Sequence, residues 1–304
     1  MRDIGRRALK VRPLARGVLH LPSRLPVDPY RHGLYTPEQL YDTPEYADSL
    51  DGRVYAWTLE PPGHDDTLAR ALHDHAIDEA LGAWVEGRRL VGVMGGHAVE
   101  RGTPTYADTA RLGAALGAHL TVATGGGPGA MEAANLGARC ASSPGVLPTV
   151  VERLAAVPSF RPSVDAWVAS ARAVLADLPR DIETLGVPTW FYGHEPPNLF
   201  ATAIAKYVRN AQREAILLEI CDAGIVFLPG AAGTVQEIFQ DACENYYADG
   251  THVAPMVLVG TDYWTSQLPA WPLLRTLGTG HPMAAHLHLV DSVGEAAELL
   301  VQDG

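Results

Sequence analysis

Lysine is almost absent from this chain: of 23 basic residues only Lys10 and Lys206 are lysines, and the rest are arginines. A PLP enzyme needs a buried lysine to hold its cofactor as a Schiff base. Lys10 falls in a basic arm and Lys206 among other cations, so that chemistry is excluded. Cysteine is scarce as well. Cys140, Cys221 and Cys243 are scattered, odd in number and form no CxxC, which suggests neither a disulfide framework nor a zinc knuckle. The expected setting is a reducing cytoplasm, with no metal. Positive charge is in deficit, with a net −12 over 304 residues. That opposes non-specific binding to nucleic acid or anionic membranes. No apolar run reaches the roughly 18 residues of a membrane span. The start, MRDIGRRALKVRPLARG, has no apolar h-region and reads as a solvated or anion-touching arm rather than a signal peptide. Two phosphate motifs are missing too: there is no GxGxxG and no GK[ST]. The ligand is therefore expected to be a mononucleotide or sugar phosphate rather than NAD or ATP with magnesium.

What is present is a rhythm of strands and helices. Residues 1–60 are rich in proline, arginine and tyrosine, with no clean period. Residues 65–87 carry Leu68, Leu72, Ile77, Leu81 and Trp84 at helical spacing. From residue 89 onward, apolar runs alternate with helical patterns. Strands are predicted at RRLVGVM, LTVAT, VPTWFYG, the run ending at Leu228, 254–260 and 286–290. Helices are predicted at 106–116, 131–139, 200–220, 233–247 and 264–277, with one inserted helix in VDAWVASARAVLADL. Ser292 and Glu295 form a capping box for a last helix. This alternation predicts an α/β, Rossmann-like doubly wound parallel sheet with helices on both faces. The expected division is an extension plus packed helix over 1–85, then a nucleotide-binding domain over 86–304 with a helical insertion at about 141–187.

Three predicted strands end in glycine: VMGGH, VATGGGPGAME and FLPGAAGTVQE. Ligands of open parallel sheets sit at the carboxyl ends of the strands. Glycines there let the backbone approach a phosphate, and the following helix offers unpaired N–H groups. Three such loops in one sheet are far more specific than one.

TGGGPGAMEAAN and PGAAGTVQE together resemble the signature PGGxGTxxE of the Lonely Guy family, cytokinin-activating phosphoribohydrolases and related bacterial nucleotide nucleosidases. The resemblance covers roughly residues 89–139 and 188–302. It implies that Gly230, Ala231, Ala232, Gly233 and Thr234 hold a 5′-phosphate, and that Glu237 acts on the ribose with Arg213 as its catalytic partner. Gly95, Gly96 and His97 match the first strand loop, and Gly125, Gly126, Gly127 and Met131 the second. Three residues depart from the pattern. Ala231 replaces the second glycine, Gln236 stands where an acid is frequent, and Glu214 follows the arginine where lysine is usual.

The predicted 200–220 helix would put Lys206, Arg209 and Arg213 on one face. That stripe serves a phosphate, or is a solvated face paired with Glu214 and Glu219. Thr234 to Glu237 also reads as a T-x-x-E capping box, which needs no catalysis. YGHEPPN, with His194, Glu195 and Asn198, either lines a base pocket or forms an ordinary proline turn. The function expected is hydrolysis of the N-glycosidic bond of an AMP-like nucleoside 5′-monophosphate, without cofactor, by a homo-oligomer of at least two chains. A nucleotide-binding sensor or carrier without turnover is the alternative.

Overall fold

The computed structural model describes residues 25–191, 195–248 and 253–302. In chain order the elements begin with α1 (Pro37–Leu40), α2 (Leu50–Leu59), α3 (His64–Val85), β1 (Leu90–Met94) and α4 (Pro104–Gly117). There follow β2 (Thr121–Thr124), α5 (Ala130–Arg139), α6 (Leu147–Leu154), α7 (Val164–Leu175), β3 (Leu185–Gly186) and β4 (Ala203–Ile204). The rest are α8 (Asn210–Glu219), β5 (Ile225–Phe227), α9 (Ala232–Tyr247), β6 (Met256–Val259), α10 (Ala270–Gly278), β7 (Leu287–Val290) and α11 (Val293–Gln302). α2 lies where the sequence shows no clean period, and α6 precedes the one helix expected in the 141–187 segment.

The seven strands form one sheet in the order β4-β3-β2-β1-β5-β6-β7, every pair parallel. The chain winds outward from β1 in both directions, so the switch point lies between β1 and β5. Strand side chains alternate between faces, and each face buries its own apolar set. Val91, Val93, Val226 and Val257 pack with Leu112 and Leu116 of α4 and Leu300 of α11. Leu90, Met94, Ile225, Phe227 and Leu258 belong to a larger cluster with Ile77 and Leu81 of α3, Leu217 of α8 and Ile238 of α9. Helices therefore cover both faces, as the alternation of elements requires. Ser292 and Glu295 do form the expected box, with Glu295 N–H bonded to Ser292 Oγ and Ser292 N–H to Glu295 Oε2.

The 200–220 helix is a correction. Only Asn210–Glu219 is helical. Residues 203–204 are extended, paired with β3 on one side and closed on the other by an antiparallel bridge between Tyr35 and Ile204. A further bridge joins Thr189 to Tyr207. The start of α8 is set from outside, because the Asp74 carboxylate of α3 accepts the amides of Val208 and Arg209 at 2.9 Å each. Lys206 consequently leaves the stripe expected with Arg213. Its ammonium is 2.5 Å from Asp51 Oδ1 of α2, and both side chains are 1% exposed. Asp51 also accepts Trp190 Nε1–H at 2.8 Å and Tyr46 O–H at 2.7 Å. These bonds join the segment before α3 to the β4 edge.

Removing one member of a buried pair strands the other charge. Lys206→Met is expected to lower the unfolding free energy by about 3–5 kcal/mol, measured by denaturant titration. Restoring the balance with Asp51→Asn in the same chain should recover part of the loss.

Candidate functional site

Glu237 sits in α9, and the start of that helix decides what its carboxylate reaches. α9 begins at Ala232, with Ala231 as the preceding cap residue and no side chain capping the first turn. The first bond into the helix runs from Val235 N–H to the Ala231 carbonyl. Thr234 is thus the third helical residue and Glu237 lies a turn further in, beyond reach of the cap amide. The capping-box reading of Thr234 and Glu237 is therefore wrong. Instead Glu237 Oε1 lies 3.4 Å from Arg213 Nη1, both side chains largely buried. The N–H groups of a helix's first turn lack intrahelical partners and favour anions. In this one a Cβ added at Gly233 would meet nothing within 4 Å, so that turn is open.

Arg213 is held on two further sides. Its Nε–H donates to the Val187 carbonyl at 2.6 Å. A Cβ on Gly125 would fall 2.2 Å from Arg213 Nη2 and 2.7 Å from the Met131 sulfur. Glycine at 125 thus makes room for the guanidinium. Gly129, with φ +75°, carries the chain close to Gly96 and His97, where a Cβ would meet the Gly96 carbonyl oxygen at 2.6 Å. Behind this loop lies a buried polar network. Asn198 Nδ2 donates to the Gly127 carbonyl and to Asn135 Oδ1, Asn198 N–H donates to the Gly126 carbonyl, and Thr124 Oγ1 accepts Gly126 N–H.

These elements enclose a cavity of about 720 Å³ at the carboxyl ends of β1, β2 and β5. Gly95, Gly96, His97, Gly125, Gly127, Met131, Arg213, Gly230, Ala231, Ala232, Gly233, Thr234 and Glu237 all line it. Two of the expected residues do not. Gly126 turns away, with φ +72°, and a Cβ added there would meet Pro188 Cδ at 2.7 Å and the Val187 nitrogen at 3.0 Å, so it shapes the loop. Lys206 is committed to Asp51. Of YGHEPPN, Tyr192, Gly193 and His194 lie outside the described residues, Glu195 lines the cavity, and Asn198 serves the network behind it.

Several lining residues were not singled out from sequence. Tyr263 O–H donates to the Gly230 carbonyl at 2.6 Å, bracing the loop ahead of α9. Asn210 is buried, and its Oδ1 has no partner among the described residues, leaving an acceptor for a ligand's donor. Glu214 and Gln236, two of the three departures from the motif, touch each other: the Gln236 amide donates to Glu214 Oε2. The bond ties α9 to α8 at the cavity wall.

The electrostatics are lopsided. Among the described residues that line it, Arg213 is the one arginine or lysine, against Glu195, Glu214 and Glu237. Burial raises the Glu237 pKa above its ordinary 4.5; Arg213 opposes the shift and Glu214 adds to it. A carboxylate so placed ionises reluctantly and gains by meeting positive charge.

Similar solved structures include a molybdenum cofactor binding protein from the phototrophic bacterium Rippkaea orientalis, at 18% identity and TM-score 0.44, covering 72% of this chain and 98% of that one. The molybdenum cofactor carrier protein MCP from Chlamydomonas reinhardtii matches at 17% and 0.43, covering 71% and 97%. TM1055 matches at 16% and 0.43, covering 70% and 99%. At these values the likeness says nothing of ligand or activity. No family model matches the chain, and no curated protein matches it in sequence.

Gly125→Ala must push the Arg213 guanidinium off its seat. The expected result is a guanidinium displaced from the Val187 carbonyl and from Glu237, seen in a crystal structure of the variant. A thermal melt should show the fold retained, since the added methyl meets a side-chain end rather than backbone.

Proposed function

We propose that this chain hydrolyses the N-glycosidic bond of a nucleoside 5′-monophosphate, AMP-like in kind, to free base and ribose 5-phosphate. The observation that carries the reading is the Arg213–Glu237 pair, 3.4 Å apart, on the wall of the same cavity as the uncapped first turn of α9. A phosphate dianion is repelled by the three carboxylates. Its favourable place is against the amides of residues 231–234 and the Thr234 hydroxyl, at the positive end of a 16-residue helix. With the phosphate fixed there, the ribose is directed toward Glu237.

Breaking an N-glycosidic bond builds positive charge on the sugar ring, as in glycoside hydrolysis. An excess of carboxylate is poor for holding an anion and well suited to that transition state. Glu237 stabilises the developing charge and orients the attacking water. Arg213 holds Glu237 in place and offers its remaining N–H groups to the phosphate or the base. Binding energy from the phosphate then positions the bond to be broken. A homo-oligomer remains the expected assembly, since symmetric dimers are the commonest soluble form.

One observation favours a second reading, a nucleotide-binding sensor or carrier without turnover. The acid frequent beside the motif's glutamate is Gln236 here, and its amide is engaged with Glu214. Incubation of the purified protein with a panel of nucleoside monophosphates, followed by chromatography for free bases, separates the two readings.

Glu237→Gln keeps the shape and removes the charge. Turnover is expected to fall by about two orders of magnitude or more while nucleotide binding persists. A wild-type rate in this variant would show that Glu237 is not catalytic.

The acid limb of the pH–rate profile offers a second check. Glu237 must be ionised to act, and its pKa lies above 4.5 partly because of Glu214. Glu214→Gln removes that negative neighbour, so Glu237 ionises at lower pH. The acid limb of kcat/KM is expected to move down relative to wild type.

A further inference from the structure

Beside the main cavity lies a second pocket of about 200 Å³, which the motifs do not account for. The two share His97, Ala98, Val99 and Glu195 as a common wall. On the far side of that wall the lining comes from the loop between α6 and α7: Ser159, Phe160 and Arg161. That loop belongs to the 141–187 segment, outside the motif resemblance. Glu132 also lines the pocket, and is paired with buried Arg101, whose Nη1 reaches Ser170 Oγ of α7 at 2.7 Å.

The chemistry of this pocket is selective. Glu100 and Glu195 line it against one lining cation, Arg161, while Glu132 is already paired with Arg101, a balance that does not favour a phosphate. The Phe160 ring supplies an apolar wall, while Ser159, Arg161 and Glu100 offer donors and acceptors. A planar heterocycle with hydrogen-bonding edges fits this combination, and the volume suits a base-sized group rather than a nucleotide. At the shared wall His97 Nδ1 is 3.4 Å from Glu195 Oε1. That contact leaves the His97 Nε2 position to a ligand.

We propose that the side pocket receives the leaving base and that His97, oriented by Glu195, gives the departing base its proton. The proposal rests on the hydrolase reading above and extends it. As the bond between C1′ and the base nitrogen breaks, its electron pair stays with the base. The Nε2–H proton of His97 passes to the base, and the water oxygen bonds to C1′. The water's proton passes to Glu237 and returns through solvent to His97. The net change is addition of one water molecule.

The test uses two substrates: AMP, and 4-nitrophenyl ribofuranoside 5-phosphate, whose leaving group departs as a stable anion without a proton. His97→Gln should lower kcat on AMP by about a hundredfold, the lower range for general acid catalysis, and cost at least about tenfold less on the nitrophenyl compound. Glu195→Gln should show the same split, more weakly. Equal losses on both substrates would overturn the proton-donor role. The pocket itself is tested without turnover, by calorimetric binding of AMP and of ribose 5-phosphate. Ser159→Trp, which fills the pocket, should weaken AMP at least about tenfold and leave ribose 5-phosphate alone. If the wild type binds both compounds and Ser159→Trp binds AMP unchanged, the side pocket is not the base site. If the wild type binds neither, the main-cavity reading falls and this one with it.

Discussion

The guanidinium of Arg213 is seated by three parts of the chain that are far apart in sequence. The Val187 carbonyl takes its Nε–H, the Glu237 carboxylate faces its Nη1, and the missing Cβ of Gly125 leaves space for Nη2. Each comes from a different strand end, so the site forms only when β2, β3 and β5 lie in one parallel sheet with their carboxyl ends together. Ligand sites gather there because the loops are unconstrained by pairing and the helices that follow point their first turns inward. Tyr263 on Gly230 and Asn198 beneath Gly126 and Gly127 give the loops the stiffness that glycine alone would deny them.

Much of this was legible in the sequence, and the reasons are physical. β1, β2 and β5 are short apolar runs stopped by glycine. Buried strands must be apolar on both faces, and phosphate loops must be small, so the two signals coincide. What was hidden depended on partners distant along the chain. Nothing near Lys206 shows that its charge is answered by Asp51, 155 residues earlier. Nothing near Val208 shows that Asp74 will collect its amide and delay the helix. Glu237 was open between cap and active group because both need a carboxylate three residues past a threonine. The choice turned on a helix that starts at Ala232 rather than three residues later, at Val235.

The departures from the motif also look different in three dimensions. Read along the chain, Glu214 and Gln236 are two unconnected differences from the signature that the sequence resembles. In space they are hydrogen-bonded across α8 and α9. The cavity therefore holds a second carboxylate near Glu237, which adds to the rise that burial gives the Glu237 pKa.

The joint at Asp51 has a consequence for how the chain is made. Its bonds to Trp190 and Lys206 span 139 and 155 residues, about half of the 304-residue chain. Closing so large a loop is entropically slow, and such contacts retard folding. During synthesis Asp51 and Tyr35 emerge early, while the strand they cover is not yet translated. That carboxylate spends the interval in water, and the edge at β4 is sealed only after the centre of the sheet has been translated and can assemble.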